Sequence, residues 1–286
     1  MTFSHVGGLD HVVIMVDDLD RATADWAALG FTVSPRGIHS AHVGAANHTV
    51  VFENDYIELL GILRDTPSNA PSRAFLDRRG DGIERIALAT DDAGAAADEL
   101  RAAGIEASGP FAFGRPVPIP GGGEVDANFR IARWPVAAAP GGVRLFVCEH
   151  QTPDAVWRPE LKDHPNTAVQ LRQVVIATPS PRVDADQMAE LIGGTVEGVG
   201  TPDTYRVPTG AHLAALVFCP RAAIAARFPG ADADSLPERG AAAVVIGVRD
   251  PVAAARVLGV PATLDWTTVR VPFVRASGTL IALEAL

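Results

Sequence analysis

Residues 12–18, VVIMVDD, return three times in altered form: IALATDD from Ile86, VVIATPS from Val174 and VVIGVRD from Val244. The spacings are 86 − 12 = 74, 174 − 86 = 88 and 244 − 174 = 70 residues. They are too long for a solenoid and fit a unit of one strand, one helix and three further strands. After the first copy comes DLDRATADWAALGF, with Leu19, Trp26 and Leu29 on one helical face, Asp18 placed to cap the start and Gly30 to end it. DAGAAADELRAAGI, VDADQMAELIGG and DPVAAARVLGV follow the other copies with the same pattern. Each helix leads into short β-patterned runs broken by Gly and Pro, as in HTVVFENDYIELLGI, where Asn54-Asp55 reads as a hairpin turn.

The unit is therefore βαβββ, present four times, in an α+β chain. One such module leaves a sheet face bare, so the modules are expected to pair. The polar, turn-rich stretch 151–168 separates two pairs, which predicts an N-terminal domain at 1–150, a linker, and a C-terminal domain at 169–286.

The whole composition narrows the function. A chain of 286 residues, 48% hydrophobic, can fill a sizeable core. A formal net charge of -10 argues against a phosphate-backbone partner, so nucleic acid is not expected. No apolar run reaches the ~20 residues that span a bilayer, and MTFSHVGGLD has neither a basic start nor an apolar segment of a leader, so a cytoplasmic protein without a membrane partner is expected. Cys148 and Cys219 each end an apolar run and read as reduced, buried strand thiols. The glycine-rich stretch 118–130 lacks GxGxxG and the Lys-Ser/Thr of a phosphate loop; it reads as a flap or hairpin connection, and no nucleotide cofactor is expected. There is no GxSxG elbow.

On these residues the chain resembles the glyoxalase/bleomycin-resistance/extradiol-dioxygenase group, the vicinal oxygen chelate superfamily. More narrowly, LDHVVIMVDDLDRATADWAALGFTVSPRG, NDYIELLGI and VWRPELKDHPNTA followed by LRQVVIAT are similar to bacterial glyoxalase-like domain proteins. The resemblance implies two tandem domains of paired modules. It also implies a metal ligand at the start of a module's first strand and another, usually Glu, in its last. His11 and Glu58 stand at those places, a half-site for a divalent metal such as Mn, Fe, Zn or Ni.

The second module departs from that pattern. Arg85 reads in register with His11 and Arg144 close to the register of Glu58, and arginine does not ligate metals. Glu84 could substitute only if the strand slipped by one residue, which would turn its apolar set outward. His39, His42, Asn47 and His48 lie just before a strand and offer a third ligand or rim contacts. Arg85 and Arg144, with Asn47 and His48, are the candidate substrate contacts, the arginines pairing with Glu58 or presenting a fork to a carboxylate, phosphate or enolate. The third and fourth modules place Gln173, Leu213, Ala214, Ala243 and Ile281 at the corresponding positions, so the C-terminal half reads as a scaffold. Trp157, His164 and Asn166 of the linker are candidates for the rim.

The expected function is a glyoxalase-like enzyme acting on a small oxygenated metabolite by isomerase or lyase chemistry, with His11 and Glu58 catalytic: they hold a divalent ion that polarises a carbonyl or enolate, or Glu58 serves as the proton-shuttling base. Two protein ligands are fewer than oxygen activation usually needs, which places a dioxygenase behind. The alternative is a metal-free protein that sequesters a drug or metabolite. Homodimerisation is left open.

Overall fold

A computed structural model describes residues 3–119, 122–259, 268–271 and 277–286. Module one comprises β1 (Leu9–Val16), α1 (Leu19–Ala28), β2 (Gly37–Ile38), β3 (Ala45–Val51) and β4 (Tyr56–Ile62). After an extra helix, α2 (Ala70–Arg79), module two runs β5 (Gly82–Ala89), α3 (Ala93–Ala102), β6 (Ser108–Pro118), β7 (Glu124–Arg133) and β8 (Arg144–His150). Module three has β9 (Ala168–Ala177), α4 (Pro181–Leu191), β10 (Glu197–Gly198), β11 (Tyr205–Val207) and β12 (Ala215–Cys219), followed by the extra helix α5 (Arg221–Arg227). Module four has β13 (Gly240–Val248), α6 (Pro251–Leu258), β14 (Thr268–Val271) and β15 (Leu280–Ala285). The sequence pattern anticipates α1, α3, α4 and α6 but neither α2 nor α5.

The modules pair as expected. One sheet has the order β2-β3-β4-β1-β5-β8-β7-β6 and draws all its strands from the first half; the other has β10-β11-β12-β9-β13-β15-β14. Each is joined at its centre by an antiparallel pair of first strands, β1 with β5 and β9 with β13. The first sheet curls until β2 meets β6, which makes a nearly closed cup. Asn54-Asp55 does turn a hairpin, with Phe52 N–H on Asp55 O at 2.9 Å. The glycine-rich stretch connects the β6–β7 hairpin, its tip at 120–121 lying outside the described residues.

Helix capping follows the sequence. Asp18, Asp92 and Asp250 each accept N–H groups of the first turn, offsetting the orphan donors of α1, α3 and α6. Those helices and α4 cover the convex faces of both sheets. Trp26, Leu100, Met188 and Leu258 join Ile14, Ile86, Ile176 and Ile246 in one continuous core. No helix among the described residues is long and apolar enough to cross a membrane.

The register holds one device that strict alternation misses. Leu9 pairs with Leu88 and His11 with Ala87, so Asp10 is a bulge; Val13 pairs with Arg85 and Ile14 with Ile83, so Glu84 is its counterpart on β5. The second sheet repeats it at Arg172 and Ala242. An extra residue turns two neighbouring side chains toward one face without reversing the rest of the strand. Glu84 thus joins the cup-side network while the apolar set of β5 stays in the core, because the register shift at Asp10 is matched by the one at Glu84.

Candidate functional site

The first cup encloses about 370 Å³. Its floor comes from β1 and β4, whose parallel register places His11 opposite Tyr56 and Val13 opposite Glu58. His11 is 3% exposed and stacks on Tyr56 at 4.2 Å between ring centroids. His11 Nε2 lies 3.9 Å from one carboxylate oxygen of Glu58, and His39 Nε2 lies 3.8 Å from the other. The amide of Asn47 donates to Glu58. Burial pushes the Glu58 carboxyl up, but His39, His11 and Asn47 outweigh it and hold the pKa at about 2. Glu58 is a permanent anion between two imidazoles.

Below the floor, Asp10 accepts from His11 Nδ1 and, at 3.1 Å, from His150 Nε2. Burial raises the Asp10 carboxyl, yet the two histidines overcome it and keep it well below the usual carboxylate range. With Nδ1 engaged by Asp10, Nε2 is the ring nitrogen that His11 turns toward Glu58. Donor atoms of Asp10, His11, Cys148 and His150 all lie within 4.8 Å of one another, a grouping able to hold a metal ion. The Cys148 thiol, 3.7 Å from His150, is pushed well up by burial and by Asp10 and Glu58. Both cysteines are free and buried, as read from the sequence.

Two polar atoms beside Glu58 are buried with no hydrogen-bond partner, His39 Nε2 and Asn47 Oδ1. Unsatisfied groups of this kind are rare and call for an occupant. Imidazole nitrogens and a carboxylate are ligand types that Mn, Fe, Zn or Ni accept; among the described residues, the donor atoms that gather within 4.8 Å of one another are those of Asp10, His11, Cys148 and His150.

Not every candidate reaches this point. His48 pairs opposite Leu59 and faces away from the cup, giving Nδ1 to Ser34 O at 2.7 Å; neighbouring β3 residues alternate sides. His42 lines the rim and meets Ser40 at 3.0 Å. Arg85 and Arg144 line the cup but engage Glu84 rather than Glu58. They stand opposite each other as His11 and Tyr56 do, so Phe146, not Arg144, occupies the register of Glu58 in module two. His164 and Asn166 instead tie the linker to module one. His164 bridges Thr32 N–H and Val51 O, both at 3.0 Å, and Asn166 donates to Leu29 O at 3.0 Å. Trp157 packs against His150 at 4.6 Å, beneath the floor. Asp10 and Arg115 are among the residues that sequence reading passes over, as are His150 and Arg133. Asp10 is hidden by the bulge, and Arg115 arrives only because β6 closes onto β2.

A family model described as a glyoxalase-like domain matches residues 9–192, or 192 − 9 + 1 = 184 of the 286 residues. The chain belongs to the glyoxalase-like domain family. A hypothetical protein from Staphylococcus aureus shares the fold at TM-score 0.68, with 13% identity over 97% of this chain and 99% of the other. A mutant of 4-hydroxymandelate synthase from Streptomyces coelicolor does so at 0.63, with 14% identity over 99% and 94%. The search of curated proteins gave no match.

Among the described residues, the second cup of this glyoxalase-like protein is occupied by its own side chains. Val217 and Ala282 take the register of Glu58 in modules three and four, rather than the Leu213, Ala214 and Ile281 read from the sequence. They pack with Ile224 of α5 and the adjoining Phe228. Arg227 donates to Gln173, the counterpart of His11, at 2.7 Å. α5 thus plugs the cup.

Proposed function

We propose that this protein is a glyoxalase-type enzyme acting on a small oxygenated metabolite in the N-terminal cup, with His11, His39 and Glu58 holding a divalent metal. The observation that carries the reading is the Glu58 carboxylate held between two imidazole nitrogens at 3.9 and 3.8 Å, one of them without any hydrogen-bond partner. A bound metal would polarise a substrate carbonyl or stabilise an enolate.

The chain's own groups take distinct roles. With a pKa of about 2, Glu58 is a poor proton acceptor near neutral pH and suits holding a cation or positioning a donor. Asp10 orients His11. Tyr56 and Phe146 wall the His11 ring, at 4.2 and 5.4 Å, and exclude water from it. His39 brings a third donor beside the pair legible in the sequence, which moves oxygen chemistry closer to isomerase or lyase chemistry than two ligands would allow. The C-terminal half, 169–286, is on this view a scaffold, and 151–168 a linker that fastens it.

The metal-free alternative draws on the apolar wall of Phe113, Phe129 and Phe146, a surface suited to sequestering an aromatic compound. Elemental analysis of untagged protein, with Mn, Fe, Zn and Ni titrations of wild type, Glu58→Gln and His39→Ala, separates the two. The expected result is one metal per chain, with affinity at least tenfold weaker in either variant. No metal uptake by folded wild type would overturn the metal reading and leave the binding protein.

A further inference from the structure

The overall charge is -10, yet the walls of the cup carry arginine. Arg85 and Arg144 stand side by side across β5 and β8 and share one carboxylate, that of Glu84, whose side chain has no exposure. Ser72 Oγ donates to Glu84 at 3.0 Å and accepts from Arg85 Nη2 at 2.7 Å and Arg144 Nη1 at 3.4 Å. Arg133 joins them from β7. Its guanidinium lies 5.2 Å from the ring centroid of Phe111, and it makes no hydrogen bond or ion pair among the described residues. Three guanidinium groups therefore face a single carboxylate at one end of the cavity. Toward the other end, Arg115 is 7% exposed, also without a hydrogen bond among the described residues, and its Nη1 lies against the backbone of Gly37. The field of Glu58 reaches Arg115, whereas Glu84, Arg85 and Arg144 act on Arg133.

We propose that the cup receives a small organic oxyanion, a carboxylate, phosphate or phosphonate on a flat apolar body, with its charged group between Arg133 and the Arg85–Arg144 pair. The inference rests on the N-terminal cup being the binding site and names what enters it. Burying cations that repel one another is costly, and an oxyanion removes the repulsion while accepting the donors that Arg133 leaves unused. A bidentate fork is the geometry that carboxylates and phosphates fit. Phe113 and Phe129, stacked at 5.3 Å, lie between that end and Arg115 on the β6–β7 wall and would bear the apolar body. A 370 Å³ cavity lies near the lower end of ligand pockets, which limits the occupant to a small metabolite.

The test uses the full chain, freed of metal on a chelating resin, in low-salt, phosphate-free buffer. It is titrated calorimetrically with benzoate, phenylphosphonate and, as the neutral control, benzamide. Benzoate or phenylphosphonate is expected to bind at least tenfold more tightly than benzamide, and their order distinguishes a carboxylate from a phosphate-type ligand. Arg133→Gln should weaken the oxyanion at least tenfold with an unchanged melting temperature, since no carboxylate loses its partner, while Arg133→Lys retains part of the affinity. Because the protein titrated is free of metal, this result is independent of whether metal binds. Oxyanions binding no better than benzamide, or an Arg133→Gln affinity within twofold of wild type, would each overturn the proposal.

Discussion

Glu58→Gln keeps the shape of the cup floor and removes its central charge. In the folded protein the carboxyl titrates at about 2, against an ordinary 4.5. Because the folded value is the lower one, the charge contributes stability that is complete above about pH 4.5 and is lost as the pH falls toward 2. The full difference is 4.5 − 2 = 2.5 pH units, or about 3 kcal/mol at 1.36 kcal/mol per unit. By pH 3 the loss has covered 1.5 of those units and amounts to about 2 kcal/mol. The Glu58 side chain is only 13% exposed, so solvent screening takes little from the figure. Urea unfolding of wild type and variant at pH 6, 5, 4 and 3 checks it. The wild type should lose about 2 kcal/mol relative to the variant between pH 6 and pH 3, whatever the offset at neutral pH. A gap that stays constant to within about 0.5 kcal/mol would mean that His11, His39 and Asn47 do not hold the carboxylate, and the site geometry would fall with it.

Asp10→Asn should weaken metal uptake roughly 10–100-fold while the fold persists, because the carboxylate orients His11; competition with a chromophoric chelator measures it. Gly37→Ala would place a Cβ 2.3 Å from Arg115 Nη1 and should push that guanidinium aside at a cost of under about 1 kcal/mol in urea melts. Phe228→Ala should open the plugged C-terminal cup at a cost of about 3–5 kcal/mol and leave metal stoichiometry unchanged. Asp55, buried between the sheets and accepting Leu171 N–H at 3.0 Å, is pushed up by burial to about 8. A raised acid stabilises the fold below its ordinary 3.8 and loses that contribution as the pH rises through 8, so Asp55→Asn should gain on wild type from pH 4 upward. At pH 7 the gain is 7 − 3.8 = 3.2 pH units, or about 4 kcal/mol, read as diverging thermal midpoints between pH 5 and 8.

The repeated strands VVIMVDD, IALATDD, VVIATPS and VVIGVRD were legible because a buried central strand must be apolar and its helix must be capped. Local chemistry alone enforces both. His11 with Glu58 was legible for a related reason, as polar residues placed at the two ends of a module. What escaped depended on distant parts of the chain. The bulges at Asp10 and Glu84 leave no mark on composition, yet they decide which of two neighbouring side chains enters the cup. The register of Glu58 falls two residues past Arg144 in module two and one past Ile281 in module four, since it depends on where strands begin to pair. His39 and His48 looked alike in the sequence, and only the β2–β3 turn sends one to Glu58 and the other to Ser34. Glu84 took the arginines from Glu58 because Ser72, on a helix the pattern did not announce, completes its bonds.

The continuous core behind both sheets has a consequence for how the chain can be handled and how it could have diverged. Ile14, Ile86, Ile176 and Ile246 meet behind the two cups, so a fragment ending near residue 150 would present an oily wall to water. Such a fragment is expected to aggregate on expression even though every residue of the first cup is present. The same wall binds the two halves to one another: on the reading that ligand enters only the first cup, the C-terminal repeat would still be required to cover the apolar face of the first, whatever side chains its own cup carries.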